Sequence, residues 1–268
     1  MFGIVDRDGG SARPFLAWIG LLLMVASFVW LQLLSPKSGP QVDIPAPATD
    51  SPFALVVLDP GHGGQDSGTM KFGILEKELA LDVAHRVERL LQLQGIATLL
   101  TRADDTYVSL ADRAAIANAQ RNCVFVSIHF DDAARSAATG VETYYAAHQI
   151  SNSTGVASWL PFLQQASLES ANVESQSLAA FIQEALVTRT QALNRGTTPH
   201  QFYVITHVRH PAVLIEGGFL TNADEKNKLA TGDYREQIAA AISDGVMHYR
   251  EVLQQQRTPL AVKLPSGK

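Results

Sequence analysis

From residue 53 onward, short apolar runs alternate with stretches whose apolar residues recur at helical spacing, and this alternation restricts the chain to few folds. FALVVL (Phe53–Leu58) reads as a buried strand. In Glu76–Leu93, the residues Leu79, Val83, Val87, Leu90 and Leu91 share one helical face, and Gly95 follows as a stop. Ile96–Leu100 reads as a second strand, Leu110–Gln120 as a helix behind the N-cap candidate Ser109, and CVFVSI (Cys123–Ile128) as a third strand. Val141–Tyr145 alternates less cleanly and is expected at a sheet edge. Gln176–Ala192 reads as a helix, Phe202–Ile205 and Ala212–Ile215 as short strands, and Tyr234–Val252 as a closing helix. Strand–helix alternation of this kind predicts an α/β architecture: a single domain with a twisted, mostly parallel sheet covered by helices on both faces.

The flanks have a different character. Residues 14–34, PFLAWIGLLLMVASFVWLQLL, carry no charge over 21 positions. As a helix at about 1.5 Å per residue they would span roughly 32 Å, the thickness of a bilayer's hydrocarbon core. The expectation is an N-terminal transmembrane anchor behind a short cytoplasmic segment, residues 1–13. A cleaved signal peptide is the rival reading, although the stretch ends in Leu31-Gln32-Leu33-Leu34 without a small-x-small site. Residues 35–52 hold five of the twelve prolines and read as a semi-rigid linker reaching about 55 Å. One globular domain is expected over 53–252, followed by a flexible tail, 253–268. One cysteine excludes a disulfide framework and multi-cysteine metal sites. A net charge of −5 argues against nucleic-acid binding, which needs a basic face.

In open α/β sheets, ligands bind beyond the carboxyl ends of the strands. After FALVVL come Asp59-Pro60-Gly61-His62-Gly63-Gly64, after CVFVSI comes His129, and after AVLI comes Glu216. Glu76 opens the first long helix. Two imidazoles and a carboxylate suit a catalytic Zn²⁺, which takes three protein ligands and leaves a position for water. The sequence separations are too wide for a local zinc finger, so the fold must assemble the site. His and Glu are common residues, and spacing alone leaves a structural reading of each open. HExxH, GxSxG, Walker and GxGxxG signatures are missing. Cys123, inside an apolar run, reads as an inert buried thiol.

Five segments in order, VVLDPGHGGQDSGT, GILEKELALDVA, TRADDTYVSLADRAAIAN, VFVSIHFDD and PAVLIEGGFLTNADE, resemble the zinc-dependent N-acetylmuramoyl-L-alanine amidases of the amidase-3 type. The resemblance implies His62, Glu76 and His129 as ligands of one catalytic zinc and Glu216 as the catalytic glutamate. It also covers the NRG turn, Asn194–Gly196. One departure is Phe130-Asp131, where relatives often carry a small residue and then Asn or Asp, which implies a change in one pocket wall. Arg102 and Arg113 fall in matching motifs and read as residues that lock loops and helices.

The implied reaction is hydrolysis of the amide joining N-acetylmuramic acid to L-alanine in peptidoglycan, releasing stem peptides during wall remodelling or daughter-cell separation. The implied setting is the cell envelope. Either the chain is held in the cytoplasmic membrane with its catalytic domain facing the periplasm or wall, or it is secreted after cleavage. An activator protein is an implied partner, and a monomer is expected. Some relatives carry a helix that covers the zinc. Residues 148–175 would be the place for one here, with Glu169 or Glu174 as the occluding ligand; a substrate-groove loop is the alternative. His200, His207 and His210 could line the cleft, whereas His85 and His248 sit within helical patterns. Two other readings are a peptidoglycan-binding module without catalysis and a zinc carboxypeptidase acting on the peptide.

Overall fold

The computed structural model describes residues 23–27, 30, 51–71, 73–131, 137–150 and 161–257. The chain divides into two units, Met1–Gly39 and Pro40–Lys268. In the first, residues 23–27 and 30 are helical and exposed. The rest of the expected anchor lies outside the described residues, as do most of the linker and the tail beyond 257. Among the described residues no helix is long and apolar enough to cross a membrane.

The second unit runs β1 (Leu55–Pro60), β2 (Met70–Lys71), β3 (Ile74–Leu75), α1 (Glu76–Leu93), β4 (Ala97–Leu100), α2 (Leu110–Asn118), β5 (Cys123–Asp131), β6 (Val141–Tyr145), α3 (Pro161–Thr190), β7 (Asn194–Pro199), α4 (Tyr203–Thr206), β8 (Ala212–Phe219), α5 (Ala223–Leu229) and α6 (Gly232–Arg257). Six strands form one sheet in the order β4-β1-β5-β8-β6-β7, and β2–β3 is a small separate hairpin. Strands β4, β1, β5 and β8 are parallel, β6 runs antiparallel to β8, and β7 runs parallel to β6.

Strand periodicity sorts the core. Val56, Leu58, Val124, Val126, Val213 and Ile215 join one apolar cluster with residues of α1, α3 and α6. Leu55, Val57, Phe125, Ala212 and Leu214 join another with residues of α2 and α4. Both faces are therefore covered, as the near-continuous apolar runs predict. Fully burying a large apolar side chain contributes about 1.5–3 kcal/mol, and Phe125, Leu58, Ile128 and Ile182 are all fully buried.

Helix α1 begins and ends where the pattern places it, and Gly95 takes φ 75° just beyond it. Ser109 caps α2 by accepting the Asp112 N–H at 3.2 Å.

Three expectations are corrected, and one strand, β7, has no counterpart in the sequence reading. Strand β6 is not an edge, because β7 pairs along its outer side. Strand β7 is missed in the sequence because NRGTTP is polar and ends in proline, tolerated on an edge strand. The FYVI run forms the short helix α4 instead of a strand; four apolar residues carry too little period to decide. Helix α6 continues to Arg257, so the last ordered turns include residues assigned to the tail.

Candidate active site

The turn after β1 is held by two buried arginines. Arg102 donates to the carbonyls of Pro60 (3.0 Å), Gly61 (2.7 Å) and, on the first turn of α1, Lys77 (2.8 Å). Arg113 donates to the carbonyls of Pro60 and His62 and to Asp59 Oδ1 at 2.7 Å. Asp59 is fully engaged as a buried acceptor, since Thr101 and Ser127 also donate to it at 2.6 and 2.7 Å. This is the locking role expected of both arginines. It fixes His62 in the left-handed region at φ 60°, a conformation that costs a non-glycine residue about 1–3 kcal/mol and persists only where the surroundings impose it.

His62, Glu76 and His129 converge. Their ligand atoms all lie within 4.8 Å of one another. Glu76 Oε1 is 3.0 Å from His62 Nε2 and 2.9 Å from His129 Nδ1, and the two rings stand edge to face with centroids 4.9 Å apart. Glu76, the buried first residue of α1, also accepts the Thr69 N–H at Oε2 (2.9 Å) and the Phe130 N–H at Oε1 (3.1 Å). Burial works against its charge, but the bonds from His129 and His62 outweigh that and hold its carboxyl well below the usual carboxylate range. Burial alone would lower the His62 pKa; Glu76 and then Asp66 overcome it and raise it.

Asp66, which sequence reasoning missed, lies 2.9 Å from His62 Nδ1. It fixes the ring so that Nε2 faces the cluster, as carboxylates behind metal-bound histidines do. Its only sequence signal is its place in the same GHGGQD turn.

Two glycines leave room for the cluster. A Cβ on Gly61 would fall 2.3–2.6 Å from three ring atoms of His129, and one on Gly68, at φ +60°, would fall 2.5 Å from Glu76 Oε2.

Glu216 is the register partner of His129 on the neighbouring strand. By strand alternation both face the side of the sheet that carries Phe125 and Leu214. Glu142 of β6 stands opposite Glu216 on its other flank. It accepts from Thr198 Oγ1 at 2.7 Å and from Arg195 Nε at 3.1 Å. The arginine's guanidinium carbon lies 4.8 Å from the centroid of the Phe219 ring.

Several expected neighbours lie elsewhere. Because β6 and β7 run against β8, the residues after β7 sit at the far end of the sheet. There His200 N–H bonds the Tyr145 carbonyl, the His207 carbonyl accepts from Asn118 at the end of α2, and His210 bonds the Gln120 carbonyl. None of the three lines the cleft. Glu174 is also at the far end, where the charge of Arg257 acts on it and neighbouring Ser175 accepts the N–H of Ala212 at the start of β8. It does not occlude the cluster; the Glu169 side chain lies outside the described residues. Phe130 is fully buried in the core on the opposite face from His129, so it is not a pocket wall. His85 bonds Glu88 and the Ala103 carbonyl, and His248 packs on Phe181. Burial pushes the Cys123 thiol up to about 12, consistent with an inert core residue.

A parallel-sheet rim that brings two imidazoles and a buried carboxylate to one point, with a second carboxylate on the adjoining strand, forms a three-donor cluster that could hold one metal ion. The chain belongs to the N-acetylmuramoyl-L-alanine amidase family, Amidase_3, which matches residues 56–248. It is 36% identical over 194 residues to N-acetylmuramoyl-L-alanine amidase LytC of Bacillus subtilis (strain 168), covering 72% of this chain but 35% of that protein. The chain thus spans about a third of LytC's length. A crystal structure of an N-acetylmuramoyl-L-alanine amidase from Clostridium difficile 630 superposes with a TM-score of 0.62 at 34% identity, over 75% of this chain and 98% of that one. The CwlD amidase from Clostridioides difficile, solved in complex with the GerS lipoprotein, gives a TM-score of 0.63 at 28% identity over 74% and 99%.

Proposed function

We propose that this chain hydrolyses the amide between N-acetylmuramic acid and L-alanine in peptidoglycan, with His62, Glu76 and His129 holding one Zn²⁺ and Glu216 moving the proton. The observation that carries the reading is the convergence of those three side chains beside Glu216 in a chain of this family. The donor set fits zinc: two imidazole nitrogens and a carboxylate oxygen, both rings partly exposed, is the three-ligand pattern of catalytic sites. When bound, the ion supplies a water acidified from 15.7 to about 7 and polarises the carbonyl.

The protein's own groups do the rest. Asp66 keeps His62 in one tautomer and Glu76 stays ionised. Glu216 accepts the attacking water's proton as oxygen bonds the lactyl carbonyl carbon. It then gives that proton to the alanine nitrogen as the C–N bond breaks. Such proton transfer contributes about 10²–10⁴-fold.

Glu216→Gln is therefore expected to retain zinc and to lose stem-peptide release from purified peptidoglycan by at least ~100-fold; a fully active variant would refute the role. Mass spectrometry of the products separates this reaction from cleavage within the peptide. The reading places the chain in the cell envelope. Retention at a membrane rests on the uncharged stretch 14–34 alone, and a protein partner is supported by the GerS complex of CwlD.

A further inference from the structure

Among the described residues, Arg195 is a cation that the fold sets against Glu142, the strand partner of Glu216, and that neither the metal cluster nor proton transfer uses. Two independent contacts fix its place. It bonds Glu142, which stands directly across the sheet from Glu216, and its guanidinium lies against Phe219, three residues past Glu216 on the same strand. The reversed direction of β6 and β7 is what brings the start of β7, where Arg195 sits, to the catalytic rim.

The arginine is pre-set by these contacts. Its Nε serves a buried carboxylate that Thr198 also holds, and one flat face is covered by an aromatic ring. Its side chain nevertheless keeps 36% exposure, and with Nε engaged by Glu142 the guanidinium still has its two terminal nitrogens with which to meet a carboxylate. The opposite flank of the site carries exposed carboxylates, Asp66 behind His62 and Asp105 beside Lys77.

The substrate has a matching asymmetry. The muramic acid carboxyl is consumed in the scissile amide, which leaves the acetylated sugars uncharged. Free carboxylates remain only on the peptide. Resting on the amidase reading above, we propose that Arg195 positions the substrate by receiving the free carboxylate of the residue after L-alanine. The leaving peptide then lies over β6 and β7 and the glycan over the His62 side.

The test compares two soluble muropeptides with an intact muramoyl–L-alanine bond, differing only in whether the second residue's α-carboxyl is free or amidated. For the wild-type protein, kcat/KM is expected to favour the free acid by roughly 10- to 100-fold, the range of a charge-assisted bond. In R195Q the ratio should fall to near 1. The paired variant E142Q/R195Q, which leaves no buried carboxylate alone, should give the same ratio, with zinc content and melting measured for each protein. A merely structural arginine would lower both rates together and leave the ratio at its wild-type value, which overturns the proposal. So does a wild-type ratio near 1. A wild-type protein that binds zinc and cleaves neither substrate would refute the amidase reading itself, and this inference with it.

Discussion

Gly61 shows how small a change the metal cluster tolerates. Its missing side chain is the space into which the His129 ring fits. A methyl there must displace either the turn clamped by Arg102 and Arg113 or the imidazole itself. Gly61→Ala is expected to weaken zinc binding by about 10- to 100-fold, the usual effect of disturbing a ligand's support. Overpacking should also lower stability by about 1–3 kcal/mol; zinc titration and thermal melting check the two effects separately. At this scale much of the site is legible in sequence. His62, His129 and Glu216 each follow an apolar run and Glu76 opens a helix, which makes them candidates, while the role given to each rests on the family resemblance. Asp66 and Arg195 are not legible. The first acts through His62 and needs the turn's path, and the second sits in a polar strand whose direction no local pattern reveals.

Between elements, α1 and α6 are tied by ions as well as by apolar packing. Asp82 accepts from Arg86 at 2.9 Å and from Arg235, and Glu236 accepts from Arg86 at 2.8 Å and from Arg89. Partial burial opposes the charge on both carboxylates, but the arginines outweigh it and lower both pKa values. Lowered carboxylates stabilise the fold above their unfolded pKa of about 4 and lose that contribution as pH falls through the folded values. Asp82→Asn is expected to melt below wild type at pH 7, by no more than about 1 kcal/mol per exposed pair, with the gap closing by pH 3. Melting curves across pH test this; a gap that persists in acid would show that packing, not charge, is responsible. The helices themselves are legible because their faces repeat over many residues, as in α1. Short elements are not: FYVI fits strand or helix equally, and only its position under the sheet decides.

For the whole molecule, the turn carrying His62 is clamped by Arg102 and Arg113, and the strand carrying His129 is anchored in the apolar core by Phe125 and Ile128, so the fold does not depend on an ion at the cluster. Chelation should therefore abolish hydrolysis without unfolding the chain. Zinc at 100-fold above its Kd should add about 2.7 kcal/mol. In a domain of this size that is roughly 5–10 °C in Tm. Circular dichroism and calorimetry with and without chelator check both statements, and a melting point indifferent to zinc would count against the site.

The fold class was readable from strand–helix alternation, but strand order was not, because pairing partners are chosen by the folded sheet. That order has one more effect. With β6 pointing away from the rim, its last residue, Tyr145, lies opposite Val213 at the start of β8, at the end of the sheet away from Glu216. A probe attached at the exposed His148, just past that strand, would therefore sit away from the cluster of His62, Glu76 and His129.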